Sequence, residues 1–355
     1  MEAKIRQGSA VAPLQPREVK TFSQDLSGNV RSVASFYKFV AIEHPATLVP
    51  SVRGLCESER VVGTVHLAQE GINATLAHDS RSVLQHLVDR IQSLRSFDGL
   101  EVKWSTAPAG QEVFLRLKVQ LRKELVSLES GVVRVRPDKE SKASAAQWDD
   151  LIRDPDSLLL DVRNAYEIGI GRFAGALDLS IESFGEFSEA AVRKLHGLEH
   201  RTIAMYCTGG IRCEKAGAWM QEHGFESVVQ LQGGILSYLA EKRGAPSRWE
   251  GECFVFDQRV SVDARLRQGT HHQCHGCRHP VSAADALASK YESGVSCPRC
   301  ADRKSETQKL RYRERARQEA AARARGGRHL GFRSPMPPAS SLIRHRAAPT
   351  PQWDA

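Results

Sequence analysis

The sequence predicts a multidomain chain of mixed α/β and α+β architecture. A ferredoxin-like N-terminal domain comes first, then a parallel α/β domain, then a small zinc-binding C-terminal segment. Three observations carry this. Residues 33–130 read as strands and helices in the order βαββαβ. From 144 to about 243, short buried strands alternate with helices, the pattern of a parallel sheet. Two Cys-x-x-Cys pairs, Cys274/Cys277 and Cys297/Cys300, enclose residues 278–296. A chain of 355 residues is too long for one average domain, and its 41% hydrophobic content is that of a globular protein. No apolar run is long enough to span a bilayer, and residues 1–7 hold no apolar core like that of a signal peptide. The expectation is a cytoplasmic protein with no membrane partner.

Taken in order, residues 1–32 show no sustained periodicity and contain two prolines, a flexible lead. In the first domain, expected at 33–130, residues 36–42 read as a strand. Residues 47–56 have helical spacing through Leu48, Val52 and Leu55. Residues 61–68 and 74–76 read as strands around the turn Glu70-Gly71-Ile72-Asn73. The clearest helix is 80–94, with Val83, Leu84, Leu87, Val88, Ile91 and Leu94 on one face. Further strands are expected at 100–104 and 113–119. A charged linker, 134–141, follows, and Ser144-Ala145-Ala146-Gln147 reads as a capping box opening the second domain, 144–245. There, 158–160 and 228–231 are short buried strands, ending in Asp161 and before Gly233-Gly234. The cysteine pairs define a segment at 250–302. Residues 305–324 are Arg/Glu/Ala-rich with almost no apolar face, a solvated helix or disordered; the tail 303–355 as a whole reads as basic and largely disordered.

The chemistry concentrates at Cys207-Thr208-Gly209-Gly210-Ile211-Arg212. The apolar run Thr202-Ile203-Ala204-Met205-Tyr206 leads into the cysteine as a buried strand, and Ala216, Trp219 and Met220 open a helical pattern after it. A glycine turn between strand and helix start converges backbone N–H groups on one point, where the helix dipole is positive. A cysteine there is expected to be largely thiolate near neutral pH, and Arg212 is placed to attract an anion. A phosphatase is one reading. Only four residues separate Cys207 from Arg212, however, which makes a small cradle and favours a persulfide or another small sulfur species. Cys213 either resolves an oxidised or persulfidic Cys207 or is a small helix residue.

This loop resembles the six-residue active loop of rhodanese domains. Asp161-Val162-Arg163-Asn164-Ala165-Tyr166-Glu167 with Gly175-Ala176, and Gln232-Gly233-Gly234-Ile235, resemble two further motifs of that fold. The resemblance implies that Cys207 carries the persulfide and that amides of 208–212 hold its outer sulfur. Asp161, Arg163 and Glu167 are read as a structural ion-pair and capping network. Tyr206 through Lys215, Glu70-Gly71-Ile72-Asn73, Lys118-Val119-Gln120-Leu121-Arg122-Lys123-Glu124 and Gly251-Glu252-Cys253-Phe254-Val255-Phe256-Asp257 narrow the likeness further. They resemble segments of the rhodanese-containing tRNA uridine hydroxylases. The N-terminal fold is then acylphosphatase-like. The implied activity is oxygen-dependent conversion of the tRNA wobble uridine, position 34, to 5-hydroxyuridine, with Cys207 catalytic and Arg212 beside it. A sulfurtransferase and a non-catalytic RNA-binding module are the alternatives.

The two Cys-x-x-Cys pairs have the spacing of a zinc site, and four thiolates leave no open position, so the metal is expected to be structural. No flavin, iron or nicotinamide motif is visible; molecular oxygen is the implied co-substrate. Residues 301–355 contain thirteen Lys/Arg and five Asp/Glu, which accounts for the net charge of +8 of the whole chain. That tail and Lys118, Arg122 and Lys123 are the candidate phosphate contacts for tRNA.

Overall fold

The computed structural model describes residues 30–94, 97–128, 133–135 and 141–326. The lead 1–29 and the end 327–355 lie outside the described residues. The first domain is built from β1 (Val30–Phe39), α1 (Pro45–Ser58), β2 (Val62–Ala68), β3 (Gly71–His78), α2 (Arg81–Gln92), β4 (Lys103–Pro108) and β5 (Leu117–Leu121). Its sheet has the order β4-β1-β3-β2-β5. The first four strands are antiparallel in the ferredoxin-like order, and β5 adds to the edge parallel to β2. Leu84, Leu87, Val88 and Ile91 of α2 are buried against it, with Ser80 capping the helix by accepting the Val83 N–H.

Four strands differ in position from the sequence reading. β3 takes in Gly71, Ile72 and Asn73, read as part of a turn, because they pair with Phe39, Lys38 and Tyr37 of β1 and with Ala68, Leu67 and His66 of β2. β1 starts at Val30, within the expected lead, because Val30 and Arg31 pair with Pro108 and Ala107 of β4 before pairing with β3 begins at Ser32. β4 lies at Lys103–Pro108, where register with Val30–Ser35 places it. β5 lies at Leu117–Leu121, while Val113 is buried in a separate small cluster with Val33, Ala77 and Ala107. Partner register set all four.

The second domain contains β6 (Ser141–Ala143), α3 (Ala145–Leu151), β7 (Ser157–Asp161), α4 (Ala165–Ile168), β8 (Gly171–Phe173), β9 (Leu177–Asp178), α5 (Phe187–Leu195), β10 (Thr202–Tyr206), α6 (Ile211–Glu222), β11 (Ser227–Leu231) and α7 (Gly234–Lys242). Ser144 and Gln147 form the capping box of α3. The sheet β6-β11-β10-β7-β9 is parallel throughout. Successive residues of its strands enter opposite cores. Leu160, Ile203 and Met205 pack on one side, Leu159, Ala204 and Tyr206 on the other. The sheet is thus covered on both faces, and β10, its central strand, ends at Tyr206, directly before Cys207.

Residues 249–266, expected at the head of the cysteine segment, belong to this packing. β12 (Trp249–Gly251) pairs with β8, β13 (Cys253–Phe254) pairs with β14 (Ser261–Val262), and Trp249, Cys253, Val255, Val262 and Leu266 join the parallel domain's core. The cysteine segment carries β15 (His272–Gln273), β16 (Pro280–Val281) and α8 (Ala283–Leu287). Within the expected disordered tail, Glu306–Ala324 forms the helix α9. Arg313 pairs with Glu292, Arg315 donates to the Gly294 carbonyl, and Gly294 lets Ala316 approach, so this helix is tied to the cysteine segment. No helix among the described residues is long and apolar enough to cross a membrane.

Candidate active site and metal centre

Gly210 makes the turn from β10 into α6. Its φ is +99°, and a Cβ there would lie 2.6 Å from the Tyr37 hydroxyl oxygen. Gly209 would admit a Cβ freely, so of the two glycines only Gly210 is sterically required. Gly234, at φ +68°, brings the second turn onto the loop: a Cβ there would meet the Cys207 carbonyl at 2.5 Å. Ile235 and Leu236 N–H donate to the carbonyls of Cys207 and Thr208. The loop is therefore held from below by the start of α7 and capped from above by Tyr37 of the first domain.

The Cys207 sulfur is buried and accepts the Gly210 N–H at 3.1 Å. Burial opposes the charged form, but the Cys213 thiol, the Arg212 guanidinium and the backbone N–H groups of Cys213 and Arg212 outweigh it and lower the Cys207 pKa to about 5. Cys253 is equally buried close by, lacks those donors, and is pushed up to about 12 by burial. The loop donors, not burial, make the difference. Burial and the neighbouring Cys207 push Cys213 well above its ordinary value, which makes it a hydrogen-bond donor to Cys207.

Arg212 is not available as an anion clamp. Its Nη1 and Nη2 donate to both Glu167 oxygens at 2.5 and 2.8 Å, and Nη2 also reaches Thr208 Oγ1 at 3.2 Å. Glu167 at the same time accepts the Asn164 N–H as part of the α4 cap. Asp161 and Arg163 form a second buried ion pair, with Arg163 also donating to the Gly171 carbonyl. The network reading of Asp161, Arg163 and Glu167 is what the structure shows. A guanidinium already satisfied by a carboxylate has no free fork for phosphate, which counts against the phosphatase alternative.

The first domain supplies a collar. Tyr37 of β1 donates to Glu214 at 2.8 Å, and Lys142 reaches the same carboxylate at 3.0 Å. Lys103 of β4 lies 4.6 Å from the Tyr37 ring centroid. Burial pulls its pKa down, against the attraction of Glu101, Glu214 and Cys207. Lys215 is buried between Glu124 (2.5 Å) and Glu70 (3.1 Å). Two of the singled-out first-domain segments thus meet α6 directly after the loop. Lys118, Arg122 and Lys123 are exposed along and just beyond β5, and Lys123 precedes Glu124.

In the C-terminal segment, the sulfurs of Cys274, Cys277, Cys297 and Cys300 all lie within 4.8 Å of one another. The separations are 3.8 Å (274 to 300), 3.6 Å (277 to 297) and 3.9 Å (297 to 300). Four sulfurs at tetrahedral zinc distance would stand about 3.8 Å apart, so the donor set fits such an ion. His271 is engaged by Glu252 and His272 by Tyr291. The segment docks on the parallel domain through Arg299 and His279, both against Glu182.

Residues 31–125 match the family model described as the UPF0176 acylphosphatase like domain, and residues 144–241 match that of the rhodanese-like domain. A protein of Rhizobium leguminosarum bv. trifolii named tRNA uridine(34) hydroxylase is 45% identical, covering 84% of this chain and 96% of its own. One of Teredinibacter turnerae with the same name is 41% identical, covering 85% of this chain and 93% of its own. The chain belongs to the tRNA uridine(34) hydroxylase family. Among solved structures, a rhodanese-like domain from Anabaena sp. is 27% identical with a TM-score of 0.27, covering 32% of this chain and 80% of that one.

In this member of the hydroxylase family, the structure brings Cys207, Thr208, Gly210, Arg212 and Cys213 together, with Gly209 and Ile211 on the partly exposed outer side of the loop. It also adds Tyr37 and Lys103, which the sequence reading passed over, gives partners to Glu214 and Lys215, quoted there only within a motif, and sets the turn 255–260 beside the loop. One signal for the last was present. Asp257-Gln258-Arg259 repeats the Asp-x-Arg spacing of Asp161-Val162-Arg163, and both make the same bidentate buried pair.

Proposed function

We propose that this chain hydroxylates uridine 34 of tRNA to 5-hydroxyuridine, with Cys207 as the reacting residue and dioxygen as the oxygen source. The observation that carries this is a buried cysteine at the start of α6 that accepts the Gly210 N–H and whose pKa the loop donors lower to about 5, in a chain matched over 84–85% of its length by proteins of that name. Addition of the Cys207 thiolate to uracil C6 forms an S–C6 bond and moves the C5=C6 pair toward C5, which then attacks oxygen. One oxygen atom stays on C5. An external thiol pair, leaving as a disulfide, supplies the two electrons and two protons that reduce the C5 hydroperoxide to the C5 alcohol and water, and loss of the C5 proton with expulsion of the Cys207 thiolate restores the double bond. Arg212 acts as a positioning residue that favours the thiolate. Acting on tRNA, the enzyme works in the cytoplasm.

A second reading, sulfur transfer through a Cys207 persulfide, is favoured by the rhodanese-like match and by the amide aimed at the sulfur. Nucleoside analysis of tRNA from cells lacking the protein separates the two. Loss of 5-hydroxyuridine, restored by the wild-type chain and not by Cys207→Ser, supports hydroxylation. Loss of thiolated nucleosides with 5-hydroxyuridine intact overturns it.

Zinc in the Cys274, Cys277, Cys297 and Cys300 site would be structural, closing a segment with little apolar core of its own. Metal analysis of freshly purified protein is expected to find about one zinc per chain, and Cys297→Ser to lose it. An iron-only or metal-free wild type would refute the assignment.

For tRNA contact, Lys118, Arg122 and Lys123 offer three exposed cations at the edge of the first domain. Replacing all three with glutamine is expected to lower the slope of log affinity against log salt by about 2. An unchanged slope would remove this surface from the binding path.

A further inference from the structure

Beside the loop, the turn 255–260 holds an aromatic ring in solvent. Phe256 is 61% exposed; the other exposed large apolar side chains among the described residues are leucines and a valine. A single exposed phenylalanine is ordinary on a surface. What sets this one apart is how rigidly its backbone is fixed and what stands beside its ring.

On its C-terminal side, Asp257 takes Arg259 in a bidentate pair, and Arg259 is 1% exposed. The same guanidinium donates to Ser105 Oγ at 2.8 Å and the Thr106 carbonyl at 3.2 Å, both on β4 of the first domain. Gln258 N–H donates to the Val113 carbonyl, and Val255 N–H to Val260. On its N-terminal side, Phe254 is buried, edge-on to Tyr166 at 5.2 Å and to Phe256 at 5.1 Å. The Arg212 guanidinium lies 5.5 Å over the Phe256 ring, and that guanidinium is 3.2 Å from Thr208 of the loop. The turn is braced on both domains, and its one unburied ring stands a single side chain from the reactive cysteine loop.

An aromatic face exposed on rigid backbone at a nucleotide-processing site is what an unstacked base packs against. Resting on the hydroxylase reading above, we propose that Phe256 is the stacking platform for the target uracil: one face of its ring meets Arg212 and the opposite face receives the base as it leaves the anticodon stack. The interaction is sequence-tolerant and carries binding; the chemistry stays with Cys207.

The test uses the full chain and two anticodon stem-loop RNAs, one with uridine at the target position and one abasic there, followed by fluorescence anisotropy. Phe256→Ala is expected to weaken binding of the uridine RNA about tenfold, and Phe256→Trp to restore it. The abasic RNA is expected to bind wild type and Phe256→Ala equally. The Cys207 alkylation midpoint should stay near 5 in Phe256→Ala, since none of its donors comes from that ring. Equal losses on both RNAs, or none on either, overturn the stacking role. A uridine-dependent difference in a wild type that forms no 5-hydroxyuridine keeps the platform and rejects the activity. A wild type that binds neither RNA rejects both.

Discussion

Cys207→Ser is expected to lose 5-hydroxyuridine formation by about a thousandfold or more in single-turnover assays, with its circular dichroism unchanged. Serine nearly matches the buried volume, so the fold is kept, but its hydroxyl does not ionise near neutral pH. In the wild type a pKa of about 5 leaves Cys207 as thiolate at pH 7. An unperturbed cysteine would be only a few per cent ionised there. The sign is that of a depressed acid: the reactive form is present above the folded pKa and is lost as pH falls through it. Iodoacetamide reactivity of Cys207 should therefore be flat from about pH 8 to 6 and drop through about 5. A midpoint near 8 or 9 would show that the loop donors do not act on the sulfur as the geometry indicates. Cys56 and Cys253, both pushed up to about 12 by burial, serve as internal controls that stay unreactive across this range.

Glu167→Ala is expected to cost about 3–5 kcal/mol of folding stability, read as a lower urea midpoint. Glu167 and Arg212 are both buried, and removing the carboxylate leaves the guanidinium without its bidentate partner, with Thr208, the Phe256 ring and the Cys207 thiolate as its remaining neighbours. It also removes the side-chain acceptor for the Asn164 N–H at the head of α4. Glu167→Gln keeps an acceptor and the shape, and should cost less. The effect on Cys207 runs the other way. With its counter-ion gone, Arg212 stabilises the thiolate more strongly, so the alkylation midpoint of Glu167→Gln moves below the wild-type value of about 5. A midpoint that rises instead would mean that the pair acts on Cys207 through loop geometry rather than charge.

Local features were legible from the chain alone. The apolar stripe of α2, the Ser144/Gln147 capping box, the β10 strand and the glycine turn after Cys207 each depend on residues within about one turn of one another. Their positions agree with the structure. The short spacing from Cys207 to Arg212 and the two Cys-x-x-Cys pairs are of the same kind. Strand limits in the first domain were not legible, because β4 and β5 end where their partners end. Nor was the state of Arg212. The loop places an arginine there, but only the fold brings Glu167, forty-five residues earlier, within 2.5 Å to neutralise it.

The sequence by itself determined that Cys207 would sit in a small anion-binding turn between a central strand and a helix, and that four cysteines would be close enough to share an ion. Both follow from short-range geometry, which the spacing of residue types dictates. Only the tertiary structure decided what surrounds that turn. Tyr37, Lys103, Glu70 and Glu124 from the first domain and Phe256 from the turn after β13 converge on α6 and its loop. Their neighbours across the interface lie from about forty to nearly two hundred residues away along the chain. Contacts at that separation are set by domain docking, through buried ion pairs such as Lys215 with Glu124 and Arg259 with Asp257 and β4. No periodicity within either partner records them.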